Sequence, residues 1–470
     1  TDQETIKRNR YSLSNIPEQD QWNYTLGVSL KHYAENSNQL YVLSRSVLNN
    51  TAIKYFNNTG LASDLLLDYQ SKEIENKFRF ENNTEINDFR ISFGLGLEQS
   101  TYSNTTFKQQ ANSQGVTLKS FNSDLDMFKY AVFGQVSKSY LDTKLGLSFG
   151  FRIDGNNYNT SMKNALNQFS PRFSASYTFT EKWSWNSSVG SYYQLPTYTT
   201  LGFRDNAGQL VNQQGLKYIR SNHYVSGLEF KPSLNSKITF EGFYKSYADY
   251  PFSIRNQISL ANLGADFGVV GSEAVTSTSK GRAYGFELLA QKKSLEGLYG
   301  IVSYTFVRSE FQDKNNVTIP SSWDNQHLLS ITAGKKLKRN WEIGGKFRLV
   351  GGKPYTPYDL NASSLINNYD ITNQGILDYN QLNTLRFNTY TQLDVRVDKT
   401  WFWKKIALNF YVDVQNLLSS QAEAQDVLIP TLDANGNKVI DASNSNRYVL
   451  EELDRTSGNI LPRFGFIVDF

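Results

Sequence analysis

Eight side chains that could contact a small solute lie in or beside the long polar segments of the chain. Seven are aromatic and one is an arginine, and the set is Tyr192, Tyr193, Tyr198, Phe203, Arg204, Trp323, Tyr355 and Tyr358. Aromatic faces beside polar groups suit sugars, peptides and metal chelates alike. Aromatic residues near strand ends also form the interfacial girdles of membrane barrels, so both interpretations are open for these residues.

Residues that usually carry catalysis or hold a metal are sparse. The three histidines, His32, His223 and His327, are far apart in the sequence, and there is no cysteine. Without thiolates a zinc site would need carboxylates at ligand spacing, and no such set can be assembled. The sequence therefore predicts no catalytic residue, no metal site and no cofactor, and we do not expect an enzyme. For His327 we expect a structural position at a rim.

Charged residues offer two further candidates for ion binding. Asp394, Arg396, Asp398 and Asp413 alternate with apolar residues and could hold an ion or guide a solute, although cross-strand pairs are the favoured interpretation. The Asp/Asn/Gly-rich segments 203–209 and 433–438 have some likeness to calcium loops, but they lack the terminal Glu that such loops need. Hairpin tips are the favoured interpretation of both segments.

The stretch from Thr389 to Leu418 indicates the kind of element that positions these residues. Apolar residues occupy every second position in each of its two arms, namely Leu393, Val395 and Val397, then Ile406, Leu408, Phe410, Val412 and Val414. A period of two predicts strands, and two such runs around a short connection predict a β-hairpin. One hairpin alone would also fit a soluble sandwich.

The same pattern recurs along the chain, where we predict about 17 strands. Short turns alternate strictly with long polar loops, and the longest predicted loops span 104–126, 195–221, 251–280, 351–388 and 419–461. A propeller would instead repeat a motif at a period of roughly 40 to 50 residues. We therefore predict an all-β fold, an antiparallel transmembrane β-barrel with short periplasmic turns and long extracellular loops.

Composition agrees with such a barrel. Hydrophobic residues make up 39% of the chain and mean hydropathy is -0.49, so the segments are not apolar enough for a spanning helix. The 29 Tyr and 30 Phe residues, with many Asn, Ser and Thr, would supply aromatic girdles and a polar lumen. The net charge of +4 is small, and no basic run is interleaved with aromatics, so we expect no nucleic-acid partner.

The last residues, 463–470, read RFGFIVDF and alternate between apolar and other positions. An exposed edge strand this apolar would promote aggregation in a soluble protein. We therefore expect the last strand to pair with the first one and to close the barrel.

Four segments resemble the TonB-dependent receptors of bacterial outer membranes. They are PSSWDNQHLLSITAGKKL (320–337), with a Trp-Asp-x-x-His entry into a strand, GGKPYTPYDL (351–360), the hairpin 392–418, and SKGRAYGFELLAQKK (279–293), near an Ala-x-Gly-x-Glu strand. The terminal Phe470 is similar to the insertion signal of outer-membrane barrels. The order and spacing of these segments make the resemblance specific, and the strand pattern extends it to the whole chain.

The resemblance implies a 22-stranded barrel, preceded by a plug domain and a short energy-coupling segment. We expect residues 1–470 to form one barrel domain without the plug and the first strands, and residues 1–20 to be the tail of an external loop. The implied location is the outer membrane of a Gram-negative bacterium. The implied partners are outer-membrane lipid, a TonB-type energy-coupling protein acting through a segment outside this chain, and an extracellular small-molecule or oligomeric ligand. An outer-membrane lipoprotein or an assembly partner is a further option.

The function that this resemblance favours is TonB-dependent uptake of a scarce solute, such as a metal chelate, vitamin, oligosaccharide or peptide. Two alternatives are open. The barrel could be a structural subunit of an outer-membrane assembly or secretion complex, or it could be a passive porin, in which a constriction loop folded inward should replace the plug.

Overall fold

A computed structural model describes residues 7, 9–13, 16–112, 115–263, 271–293 and 297–470. The described residues form 24 strands: β1 (Glu18–Ala34), β2 (Ser37–Tyr55), β3 (Leu65–Ile86), β4 (Phe89–Asn112), β5 (Gly115–Tyr140), β6 (Leu145–Asn156), β7 (Phe169–Thr180), β8 (Trp183–Gln194), β9 (Ile219–Ser233), β10 (Ser236–Ser253), β11 (Val275–Lys292), β12 (Leu298–Gln312), β13 (Thr318–Pro320), β14 (Gln326–Lys336), β15 (Trp341–Val350), β16 (Pro354–Tyr355), β17 (Leu385–Arg386), β18 (Tyr390–Phe402), β19 (Ala407–Gln415), β20 (Ala422–Pro430), β21 (Ile440–Asp441), β22 (Asn444–Tyr448), β23 (Leu450–Ser457) and β24 (Leu461–Asp469). The α-helices are short and lie in loops: Thr160–Lys163, Tyr198–Leu201, Leu360–Ser364 and Ile366–Thr372.

One large antiparallel sheet of 18 strands makes the wall. Its strands follow chain order. Each pairs with the strand before it and the strand after it, except that β1, β24 and the short β13 have one partner each among the described residues. The other 17 strands run the height of the wall, which confirms the predicted fold class and strand number. Because backbone groups bond to neighbouring strands, such a wall needs no water to satisfy them.

Alternation along β4 shows why these sequences form a wall with an apolar outside. Phe89, Phe93 and Leu97 are exposed on the outer surface. Residues at the alternate positions of β4, such as Gly94 and Glu98, point to the lumen. Exposing apolar area to water costs about 25 cal/mol per Å². An outer surface of this kind is therefore suited to lipid.

The expectation that the last strand pairs with the first is wrong. β24 pairs with β19 alone, and β1 pairs with β2 alone, among the described residues. The direction of the strands is the reason, because the first and the last of 17 antiparallel strands run the same way and cannot form an antiparallel pair.

The predicted loop 104–126 is also wrong. The structure continues β4 to Asn112 and starts β5 at Gly115, with an unbroken antiparallel register such as Thr106 to Phe121. Only roughly ten residues are needed to cross the membrane. The external part of this hairpin contacts water, so it carries polar residues on both faces and loses the alternation that marks a membrane strand.

The external loops cross the mouth of the barrel. Helix Ile366–Thr372, between β15 and β18, packs against β4 and β5, which lie many strands away in the order of the sheet. The predicted external position of residues 1–20 lies partly outside the described residues. Within the described part, Lys7 Nζ lies 2.6 Å from Glu451 Oε1 in the external segment after β19.

One wall glycine is sterically required. A methyl group at Gly285 on β11 would overlap the carbonyl oxygen of Phe306 on β12. At Gly96 on β4 the nearest atom to an added methyl group would be Ala131 Cβ, 4.0 Å away. We expect Gly285→Ala to lower the free energy of unfolding by about 1–3 kcal/mol, since overpacking forces a backbone shift. Denaturant unfolding in detergent, followed by tryptophan fluorescence, measures this loss, and Gly96→Ala should change it little.

Candidate ligand site at the external mouth

Three external loops share one apolar core with the wall. Ten buried side chains form this core: Tyr102, Leu125, Met127, Tyr158, Met162, Leu201, Leu216, Tyr218, Leu260 and Val275. The first three belong to β4 and β5, Val275 is the first residue of β11, and the other six belong to the segments that follow β6, β8 and β10. We call the loop residues 157–168, 195–218 and 254–263 the loop cap. Burial of each large apolar side chain contributes about 1.5–3 kcal/mol, so the loop cap is a packed body.

A network of polar side chains joins the loop cap to lumen-facing residues of the wall. The Tyr198 hydroxyl donates a hydrogen bond to Glu75 Oε1 (2.8 Å) and accepts one from Lys129 Nζ (2.5 Å). Lys129 also donates to Glu98 Oε1 (2.7 Å). The Tyr198 ring stacks on Tyr102 with centroids 5.7 Å apart. Burial raises the pKa of Tyr198, so the phenol keeps the proton that it donates.

This network predicts a local loss of stability in Tyr198→Phe. The variant keeps the ring stack but removes hydrogen bonds to two charged groups, each of which contributes about 1.5–3 kcal/mol. We expect faster amide hydrogen exchange in segment 195–202, measured by mass spectrometry. Tyr140→Phe is the matched control, because Tyr140 is an exposed residue beside a periplasmic turn. Equal exchange rates in the two variants would show that the network does not hold the loop cap.

Phe203 and Arg204, two of the eight predicted contact residues, line one cavity with Lys119 and Phe121. Its volume is about 380 Å³. Phe203 packs edge-to-face on Phe121 at 5.4 Å between centroids. The Arg204 guanidinium donates hydrogen bonds to the carbonyl oxygens of Gly208 (2.9 Å) and Asp124 (3.3 Å). Tyr198, on the same loop, instead forms hydrogen bonds with Glu75 and Lys129 of the wall.

Tyr192 and Tyr193 lie at the external end of β8. The Arg172 guanidinium lies 4.5 Å from the centroid of the Tyr192 ring, which also contacts the His223 ring at 4.4 Å between centroids. Tyr193 packs against the core of the loop cap. The first ring therefore has a cationic neighbour, and the second has a packing role.

The three remaining predicted residues lie in other loops. Tyr355 stacks on Phe387 with centroids 4.3 Å apart. Tyr358 is largely buried, and burial raises its pKa to about 12. Trp323 is 56% exposed. The structure therefore distributes the eight residues over several places at the mouth and does not gather them into one pocket.

The sequence did not predict a second cavity, whose volume is about 410 Å³. Among the described residues, four cationic side chains and one carboxylate line it: Lys54, Lys108, Lys119, Arg255 and Glu273. These residues come from three strand ends and one loop, so no short motif marks them. The register of the sheet, which sequence alone does not provide, brings them together.

Asp324 anchors another part of the mouth. The carboxylate is fully buried and accepts hydrogen bonds from Arg308 Nε (3.0 Å), from the Ser309 amide (2.8 Å) and from Arg386. Arg386 belongs to the loop between β15 and β18, and Arg308 belongs to β12. The Trp-Asp segment of the resemblance therefore joins two loops to the wall.

The other sequence candidates are placed in structural roles. His327 Nδ1 lies 2.9 Å from the Tyr304 hydroxyl, in the rim position that we predicted. Arg396 pairs with Asp398 at 2.7 Å. Asp433 Oδ1 accepts hydrogen bonds from the backbone amides of Asn435 and Asn437 at a hairpin tip. Within the described part of the chain, no group of three or more His, Asp or Glu side chains could hold a metal ion.

The comparisons with known proteins agree with this architecture. Residues 1–417 match the family described as TonB dependent receptor-like, beta-barrel. The match covers most of the chain, which therefore belongs to this family of outer-membrane proteins of Gram-negative bacteria. No curated protein matches the sequence. Among the described residues, no helix combines the length and the apolar character needed to cross a membrane.

Solved structures share the fold at low sequence identity. The ferric yersiniabactin uptake receptor FyuA from Yersinia pestis has a TM-score of 0.63 and 13% identity, and the match covers 97% of this chain and 62% of that chain. The ferripyoverdine receptor of Pseudomonas aeruginosa has a TM-score of 0.61 and 14% identity, with coverage of 88% and 54%. The copper transporter OprC has a TM-score of 0.59 and 13% identity, with coverage of 97% and 66%. The chain thus spans less than two thirds of the length of each.

Proposed function

We propose that this chain is the barrel part of a receptor that takes up a scarce solute across the outer membrane. The observation that supports it best is the packed loop cap, because a rigid mouth with aromatic and charged cavities can bind a solute selectively. The structural neighbours named above include an uptake receptor and a transporter. A protein of this kind performs no chemistry on its solute and would draw energy from a TonB-type partner.

Among the eight predicted contact residues, Phe203 and Arg204 are the strongest candidates for direct contact. They face one cavity, where an aromatic ring and a guanidinium stand side by side. Tyr192 follows, because its ring is paired with Arg172. Trp323, Tyr355 and Tyr358 stay candidates in the other loops of the mouth, and Tyr193 and Tyr198 are weaker candidates because they pack against the core of the loop cap.

The test uses the full-length gene product, purified in detergent from its native outer membrane. Native mass spectrometry should find one small molecule bound, and planar-bilayer recordings should find no steady conductance. A steady open channel would overturn the proposal in favour of a passive porin. A stoichiometric set of protein partners without a bound small molecule would overturn it in favour of a structural subunit.

A further inference from the structure

Two neighbouring turns at the periplasmic end of the wall carry positive charge alone. The first connects β14 to β15, and the second is the end of β18 with its connection to β19. The corresponding segments, 337–341 and 399–406, contain no Asp or Glu, and they contain five cations: Lys338, Arg339, Lys399, Lys404 and Lys405. We call these two segments the basic rim.

Three other periplasmic turns carry both signs of charge. The segments 85–90, 140–144 and 181–182 each contain at least one carboxylate and at least one cation. In the first of them the two signs form an ion pair, with Arg90 Nε 2.9 Å from Glu85 Oε1. The basic rim therefore differs from these turns in charge, although all of them are short connections at the same end of the barrel.

Backbone hydrogen bonds hold the cations of the basic rim at the tips of tight turns. The Leu337 amide donates to the Trp341 carbonyl oxygen (2.7 Å), and the Trp403 amide donates to the Ile406 carbonyl oxygen (2.8 Å). The four cations that lie within these closed turns are exposed. They are therefore available to a charged partner.

Lys399 joins the two turns into one surface. It is paired in register with Trp341 on the neighbouring strand, and its ammonium donates a hydrogen bond to the Arg339 carbonyl oxygen. The same ammonium lies 5.5 Å from the centroid of the Trp341 ring and 5.6 Å from that of Trp401. Indole rings beside a cation are typical of the boundary between lipid and water.

The carboxylates next to the basic rim in the sequence point away from it. Glu342 and Asp398 are paired with each other one position further along the strands, so they lie on the lumen face. Glu342 accepts a hydrogen bond from the Tyr299 hydroxyl, and Asp398 pairs with Arg396 at 2.7 Å. These two carboxylates therefore have partners of their own inside the barrel.

The lipid face of the basic rim is apolar. Leu337, Phe402 and Trp403 are exposed beside the cations, and Ile343 and Val412 continue the apolar surface along the wall. A molecule that lies here meets ammonium and guanidinium groups at one end and an apolar wall along its length. That is the chemistry of a phospholipid.

We propose that the basic rim binds the headgroup of an anionic phospholipid in the periplasmic leaflet, with the acyl chains along the outer wall above it. Ammonium and guanidinium groups are donors that phosphate oxygens prefer. Each basic residue near an anionic membrane surface strengthens binding about fivefold. This inference goes beyond solute uptake and does not rest on it.

Fluorescence quenching by brominated lipids tests the site, because three of the seven tryptophans, Trp341, Trp401 and Trp403, belong to the basic rim. The full-length protein is reconstituted in phosphatidylcholine vesicles that contain a minor fraction of brominated phosphatidylglycerol or, for comparison, of brominated phosphatidylcholine. We expect the anionic lipid to quench more strongly at equal fraction. Physiological salt should weaken this preference relative to low salt, since the headgroup contact is electrostatic.

A double variant assigns the preference to the basic rim. We expect Lys404→Gln/Lys405→Gln to lower the relative affinity for phosphatidylglycerol by at least about tenfold. Lys144→Gln/Lys182→Gln, which removes two exposed lysines from the turns of mixed charge, is the matched control and should keep the wild-type preference. Both variants change exposed turn residues, so their thermal unfolding in phosphatidylcholine vesicles should match that of the wild type.

Three outcomes would overturn the lipid site. They are equal quenching of the wild type by the two lipids, equal lipid preference of the two double variants, and a periplasmic protein that co-purifies with the wild type but not with Lys404→Gln/Lys405→Gln while no lipid preference is seen. The wild-type comparison needs no substitution, so it decides the matter even if a variant folds poorly. Neither lipid readout depends on a solute at the external mouth, so failure of the lipid site and failure of the uptake function are seen separately.

Discussion

Asp324→Ala is expected to lower the free energy of unfolding by about 3–5 kcal/mol, because it leaves two guanidinium groups without their buried carboxylate. Arg308 and Arg386 both lie against Asp324, which is fully buried. Arg386 would keep its contacts to carbonyl oxygens, but its charge would lose its counter-ion. Thermal unfolding in detergent, followed by circular dichroism, measures the loss.

The expected local effect is release of the loop between β15 and β18. Arg386 is the residue of this loop that reaches Asp324, so limited proteolysis of the variant should cut within residues 351–388. Glu85→Gln is the control, since it breaks an exposed pair with Arg90, and such pairs contribute about 0–1 kcal/mol. Asp324→Asn should fall between the two, because it can still accept the Ser309 amide hydrogen bond. If Asp324→Ala behaves like Glu85→Gln, the buried ion pairs do not hold the mouth together.

The membrane-spanning part of the fold could be predicted because the two faces of each strand contact different environments. Lipid on one side and a wet lumen on the other impose a period of two, visible in the hairpin 390–415 as in β4. Outside the membrane water contacts both faces, so the alternation weakens. That is why the extension of β4 to Asn112 was predicted as a loop.

The site could be predicted only where its residues are neighbours in the chain. Phe203 and Arg204 are adjacent, and they do line one cavity. Tyr198 has the same sequence signal, but its hydrogen bonds to two charged partners from separate strands, Glu75 and Lys129, make it an anchor of the loop cap. Lys54, Lys108 and Lys119, which line the second cavity, share no local sequence signal, because only the register across β2 to β5 brings them together. Register is a property of the assembled sheet and is not encoded in any one segment.

Leu201→Ala is expected to loosen the loop cap more than any conservative change at its surface. Leu201 is fully buried at the centre of the shared core. Deleting a buried leucine side chain to alanine costs about 2–5 kcal/mol, through lost transfer energy and the cavity left behind. Of the wall strands, β4, β5 and β11 contribute buried residues to this core, so we expect the strands far from it to stay folded while the loops open locally.

Hydrogen exchange resolves these two regions in one experiment. In Leu201→Ala the amides of 195–218 should exchange faster, while those of β14 and β15 should keep wild-type rates. Leu166→Ala is the matched control, because Leu166 lies in the loop cap but is 72% exposed, and its loss should leave both regions unchanged. Uniformly faster exchange across the wall would mean that the loop cap and the barrel unfold as one unit, and that the mouth cannot open independently. A loop cap that opens alone is what a receptor needs if its solute is to pass from the external cavities into the lumen.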